Sequence, residues 1–181
     1  QGPLTAEAVM LAVAALLPGN AVVTDEGITS TLPYSSLLAK AAPHDYLPIT
    51  GGSIGNILPL STGAAIGAPG RKVVCLEGDG SAMYTLQALW TQARERLDVV
   101  TVIYANRSYA VLNHELRLVQ AESRGEKAGS LLDLGNPTLD WVKLAEGMGV
   151  EAVRADTTEA FADAFAAALR EPGPRLIEAV I

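Results

Sequence analysis

Two short loops hold the residues of this sequence whose types and spacing could do chemistry. In Gly78-Asp79-Gly80-Ser81 a carboxylate follows an apolar run and is flanked by glycines. Glycine permits tight backbone geometry and close approach of a ligand. The start of a following helix offers free N–H groups, which suit phosphate oxygens. A carboxylate beside a phosphate site repels the ligand unless a cation bridges the two. Magnesium fits that role, because it takes oxygen ligands, often one or two carboxylates plus substrate phosphates. Taken alone, Gly-Asp-Gly reads equally well as a turn or a helix cap. Asn106 shifts the balance. It lies 27 positions after Asp79 (106 − 79), room for one helix and one strand. A parallel βαβ unit returns the chain to the same edge of the sheet and sets the two residues side by side. The Asn106 amide oxygen and a backbone carbonyl from the next turn would extend a magnesium shell.

The elements that must position these loops follow from the apolar pattern. Helices are predicted over Ala6–Leu17, with Thr5 as N-cap and Pro18-Gly19 as stop, and over Ser30–Lys40, with Pro33 in its first turn. Further helices are predicted over Ile57–Ala68, rich in small residues, and over Ala82–Arg96, Leu139–Met148 and Thr157–Leu169. Strands are predicted over Ala21–Thr24, Tyr46–Ile49, Lys72–Leu76, Val99–Tyr104, Val150–Arg154 and Arg175–Ile181. Within Ser108–Asn136 the polar stretch Glu122–Ser130 reads as mobile. Strands alternating with helices predict an α/β fold, a three-layer α/β/α sandwich with a mostly parallel sheet in a single domain. Ligands of such sheets sit beyond the C-terminal strand ends. Here those are the loops after Thr24, Glu77 and Tyr104.

The motifs taken together resemble the thiamine diphosphate-binding domain of the benzoylformate decarboxylase and acetolactate synthase group. The resemblance rests on Gly78-Asp79-Gly80-Ser81-Ala82-Met83-Tyr84, Ala88-Leu89-Trp90-Thr91 and Tyr104-Ala105-Asn106-Arg107-Ser108-Tyr109. It extends upstream to Gly52-Ser53-Ile54-Gly55-Asn56-Ile57-Leu58-Pro59. It implies two cofactors, thiamine diphosphate and Mg2+. Asp79, the Asn106 side chain and the Ser108 backbone carbonyl would be the metal ligands. Gly78, Gly80 and Ser81 would cradle the diphosphate, and the turn from Ser108 through Tyr109, Ala110 and Val111 to Leu112 would cover it, with Tyr84 nearby. Ile54 would stand under the cofactor and hold its rings in a V. Gly52 would present a backbone carbonyl to the aminopyrimidine, and the loop Glu26–Thr29 would touch that end. Arg107 and Ala110 depart from the pattern, standing where glycine is common; Ala105 replaces a frequent asparagine.

The family's activating glutamate lies on a pyrimidine-binding domain, and no segment here resembles one. The resemblance therefore implies a C-terminal third of a longer, oligomeric enzyme that decarboxylates a 2-oxo acid, inactive when alone. Among this chain's carboxylates, Glu26 is the better substitute base and Glu77 the lesser. Three other readings stay open: a separate-chain subunit of a two-chain decarboxylase, a non-catalytic cofactor-binding scaffold, and an unrelated doubly wound nucleotide-binding domain.

Composition narrows the field. The formal net charge is −7, which disfavours nucleic-acid backbones as partners. No apolar run is long enough to span a bilayer. The single cysteine, Cys75, sits in an apolar run, so no internal disulfide forms and a reducing, cytoplasmic setting is expected. His44 and His114 show no metal-ligand spacing. His114 follows the second loop and is a candidate to face substrate, beside the plainer reading of a surface histidine.

Overall fold

A computed structural model of the chain describes residues 2–32, 35–119 and 125–181. The elements run α1 (Ala6–Leu16), β1 (Val22–Glu26), α2 (Ser35–Leu38), β2 (Asp45–Pro48), α3 (Ile57–Gly67), β3 (Val73–Gly78), α4 (Asp79–Ala82), α5 (Ala88–Glu95) and β4 (Val99–Ala105). They continue with α6 (Ala110–Leu118), α7 (Glu126–Ser130), α8 (Trp141–Gly147), β5 (Glu151–Ala155), α9 (Thr158–Arg170) and β6 (Arg175–Val180).

The strands form one six-stranded sheet in the order β2-β1-β3-β4-β6-β5, and every pairing is parallel. Its central strands are near-continuous Val, Ile and Leu because helices cover both faces. Val74, Leu76, Val100 and Val102 point to one face, where they pack with Val9 and Val13 of α1, Leu38 of α2 and Phe161 and Phe165 of α9. Val73, Cys75, Val99 and Ile103 point to the other, against Ile57 and Leu58 of α3, Leu89 of α5 and Trp141 and Ala145 of α8. This is the expected three-layer sandwich, with the sheet wholly rather than mostly parallel. Local signals set several boundaries. The Thr5 and Thr157 hydroxyls accept the amides of Ala8 and Ala160 and start α1 and α9. Phe161 and Phe165, one turn apart, stack at 5.7 Å in the core.

Three expectations need correction. The helix expected over Ala82–Arg96 is broken: α4 ends at Ala82 and α5 begins at Ala88. Thr85 explains the break, because its hydroxyl donates to Gly55 O at 2.7 Å and ties the intervening turn to another loop. The helix expected over Ser30–Lys40 is reduced to Ser35–Leu38, and Pro33 lies outside the described residues. The stretch Glu122–Ser130 contains the short helix α7, while Glu122, Ser123 and Arg124 lie outside the described residues.

Candidate functional site

A cavity of about 350 Å³ opens beyond the C-terminal ends of β1, β3 and β4. Its position follows from topology. The connection leaving β1 for β2 carries α2 on one face, and the connection leaving β3 for β4 carries α5 on the other. The two diverge at β1 and β3 and leave a crevice there, the usual ligand position in open parallel sheets.

β3 and β4 pair in register from Val73↔Val99 to Gly78↔Tyr104. That register brings the loop beginning at Asp79 beside the loop beginning at Asn106, and both residues line the cavity. Asp79 is 3% exposed. Its Oδ2 accepts the Arg107 amide at 2.7 Å and its Oδ1 the Gly80 amide at 2.9 Å. Burial pushes its carboxyl up to about 6, against the lowering effect of those two N–H bonds. Among the described residues no Lys or Arg side chain pairs with it. Asn106 turns its Oδ1 to the Ser108 amide at 3.0 Å. Arg107 adopts φ +57°, a left-handed conformation that a non-glycine residue pays for, and its amide is the donor to Asp79.

No three His, Cys, Asp or Glu side chains gather into a metal cluster among the described residues. The donor set here is different: one carboxylate, one side-chain amide and the carbonyl at Ser108, all at one cavity edge. An ionised carboxylate has about four lone-pair sites, and the backbone N–H groups of Arg107, Gly80 and Asp79 itself do not fill them all. Hard oxygen donors of this kind fit magnesium, which completes its shell with phosphate oxygens and water.

The walls place the other residues singled out by sequence. Gly78, Gly80 and Ser81 form the floor, and Ser108, Tyr109, Ala110 and Val111 form one side. A Cβ on Gly80 would lie 2.5 Å from the Tyr109 ring, so glycine there lets the ring close over the loop. The opposite side holds Gly27, Ile28, Thr29, Gly52 and Ile54. Ile54 is 43% exposed, so it is a wall residue rather than core.

Not all the residues singled out by sequence line the cavity. Tyr84 and Leu112 do not line the cavity and are exposed; the Tyr84 Cβ lies against Gly55, 2.6 Å from where a Cβ on that glycine would stand. His114 is exposed on α6 outside the cavity, and His44 bonds Ala42 O at 2.8 Å. Glu26 lies at the cavity, but inside β1 rather than in a loop. Its Oε1 accepts the Gly55 amide at 2.7 Å and its Oε2 the Ile57 amide at 3.2 Å. Burial raises its carboxyl, and the N–H bonds partly offset this. Glu77 sits opposite it on β3, fully buried, with Oε1 on the Gly78 amide and Oε2 without a partner. Burial and the neighbouring Glu26 hold the Glu77 carboxyl well above the ordinary carboxylate range.

Sequence reasoning missed Asp25. It is 5% exposed and accepts from the Gly27 amide, the Thr31 hydroxyl and the Tyr46 hydroxyl at 2.8, 2.9 and 2.7 Å. The only available signal was an acidic pair at the end of an apolar strand, which reads as a solvated loop.

Residues 30–179 match the family model for the thiamine pyrophosphate enzyme, C-terminal TPP binding domain. The chain belongs to this family. Its relatives include a provisionally named acetolactate synthase large subunit, IlvX, of Mycobacterium tuberculosis, 53% identical over 99% of this chain and 35% of that protein. Benzoylformate decarboxylase of Pseudomonas aeruginosa is 32% identical over 98% of this chain and 32% of its own length. Among solved structures, the thiamine diphosphate-dependent 4-hydroxybenzoylformate decarboxylase of Rhodococcus jostii RHA1 superposes with a TM-score of 0.85 at 30% identity. That match covers 99% of this chain and 33% of the other. The chain thus spans about a third of the length of the curated relatives it matches. Among the described residues no helix is long and apolar enough to cross a membrane.

Proposed function

We propose that this chain binds thiamine diphosphate through a magnesium ion, as the diphosphate-binding part of a 2-oxo acid decarboxylase or carboligase. The observation that carries the reading is the meeting of Asp79 and Asn106 at one cavity edge, with the Asp79 carboxyl buried and, among the described residues, no cationic side chain beside it. A buried carboxylate needs a charge partner or a proton, and a bridging cation would supply one. Asp79, Asn106 Oδ1 and the Ser108 carbonyl would hold the metal; Gly78, Gly80 and Ser81 would meet the diphosphate; Tyr109 through Val111 would cover it. Gly52 and Ile54 would face the ring end, Gly52 with its carbonyl and Ile54 as the support beneath.

The chemistry such a cofactor would supply when bound is a nucleophile for a carbonyl carbon and a sink for the electron pair released on decarboxylation. This chain's own residues would orient the cofactor, hold the cation that neutralises the diphosphate and exclude water. Neither Glu26 nor Glu77 presents a free, accessible carboxylate. The group that activates the pyrimidine would therefore come from a pyrimidine-binding domain, on the same chain or a partner chain, in a cytoplasmic homo-oligomer. The test is calorimetric titration of thiamine diphosphate with magnesium into the complete protein and its Asp79→Ala form. Binding is expected in the first and not the second, with circular dichroism unchanged; equal affinity in both would reject the assignment.

A further inference from the structure

Each of the two loops that face the ring end of the cavity is tied to one acidic side chain at the end of β1. Consecutive strand residues point to opposite faces, so Asp25 and Glu26 leave the sheet in opposite directions. Asp25 holds the loop that carries Ile28 and Thr29, through the Gly27 amide and the Thr31 hydroxyl. Its third bond, from the Tyr46 hydroxyl, joins that loop to the edge strand β2. Glu26 reaches across to the turn that carries Gly52 and Ile54, through the amides of Gly55 and Ile57. That turn has little support of its own: Gly51, Gly52 and Gly55 all have positive φ, and Asn56 makes no side-chain cap on α3. Glu26 supplies the missing cap from 31 residues away, where a negative charge also suits the helix N-terminus.

We infer that Asp25 and Glu26 are positioning residues, a two-armed brace that sets the spacing between the Ile28–Thr29 wall and the Gly52–Ile54 wall and so the fit of the cofactor's rings. The inference rests on the thiamine diphosphate reading of the cavity. The two arms differ in chemistry. Glu26 takes a backbone N–H on each of its oxygens, from Gly55 and Ile57, beside a bond from the Ser81 hydroxyl, so an amide at this position would turn its own N–H₂ against a backbone donor. Asp25 has a hydroxyl among its partners, and the Tyr46 O–H can rotate and accept. A carboxylate is therefore required at 26, whereas an amide suffices at 25.

The test uses the complete protein in wild-type, Asp25→Ala, Asp25→Asn and Glu26→Gln forms. Amide hydrogen exchange without cofactor should rise about tenfold or more at residues 55–58 in Glu26→Gln and at 27–31 in Asp25→Ala. Each effect should be confined to its own loop, and Asp25→Asn should exchange like wild type. At saturating thiamine diphosphate and magnesium, the near-ultraviolet circular dichroism of the bound cofactor should change in Glu26→Gln and Asp25→Ala and be restored in Asp25→Asn. Unchanged local exchange, a uniform rise across β3 and β4, or an unaltered band in the first two variants overturns the brace. Glu26→Asp keeps the charge but is one methylene shorter, and covers the case in which Glu26→Gln does not fold. It should loosen at least one of the two amides, and wild-type exchange at both would count against the inference. Failure of the wild-type protein to bind thiamine diphosphate would instead reject the cavity's assignment, leaving the exchange result intact.

Discussion

At the scale of single residues, the site is a set of buried polar groups whose cost is met by specific partners. Asp79 is the clearest case. Its carboxyl titrates at about 6 against an ordinary 3.8, so between those values the folded chain holds a proton that the unfolded chain has lost. Stability of the metal-free protein should therefore decline as pH rises through that window. Magnesium needs the ionised form, so affinity for magnesium and cofactor should fall as pH drops below about 6, with proton uptake on release. Titration calorimetry in two buffers of different ionisation enthalpy at pH 5.5 and 7.5, values bracketing that carboxyl's range, reads both effects; an affinity equal at the two pH values would contradict them. Gly80→Ala tests the cover. Its methyl would meet the Tyr109 ring at 2.5 Å and displace it, and overpacking of this kind costs about 1–3 kcal/mol. Cofactor affinity should weaken about tenfold or more, while the backbone of α4 accepts alanine without strain.

At the scale of elements, the sequence was most informative where apolar runs are long. Val73–Leu76 and Val99–Tyr104 are fully buried on both faces, and the βαβ unit they imply accounts for the meeting of Asp79 and Asn106. It was least informative where tertiary bonds override local pattern. Asp25 and Glu26 look like loop because acidic side chains are rarely buried; here five hydrogen-bond donors hold them, two of those across 29 and 31 residues. The break at Met83–Gln87 depends in the same way on a contact between Thr85 and Gly55. The helix α6 has no buried residue despite its apolar positions. Its amides should exchange rapidly in the isolated chain and slowly in the complete, cofactor-loaded protein; slow exchange in both would show that the helix needs neither. By contrast α9 is held by its own core. Phe161→Ala removes one of two stacked, fully buried rings and should destabilise by about 3–5 kcal/mol in urea unfolding.

At the scale of the molecule, the site is an open edge. Ile66, Tyr84 and Trp90 are 60, 57 and 51% exposed, around α3 and α5, and exposed apolar surface of this kind drives association. The isolated chain should form dimers or larger species in light scattering, and a strict monomer at high concentration would argue against this. It should neither decarboxylate pyruvate or benzoylformate nor speed exchange of the cofactor's C2 proton, because its two candidate bases, Glu26 and Glu77, are buried and bound to backbone N–H groups.

The sheet order also constrains how this domain comes together. β5 pairs only with β6, and β6 separates it from β4. A nascent chain that has made β1 to β4 therefore presents an unpaired edge at β4 that β5 cannot close. Until β6 slots between them, two rows of unpaired backbone groups stay available to other chains. The late, interior strand thus makes productive folding a race against edge-to-edge aggregation, and a chaperone that shelters the β4 edge would raise the yield more than one that acts on the cofactor loops.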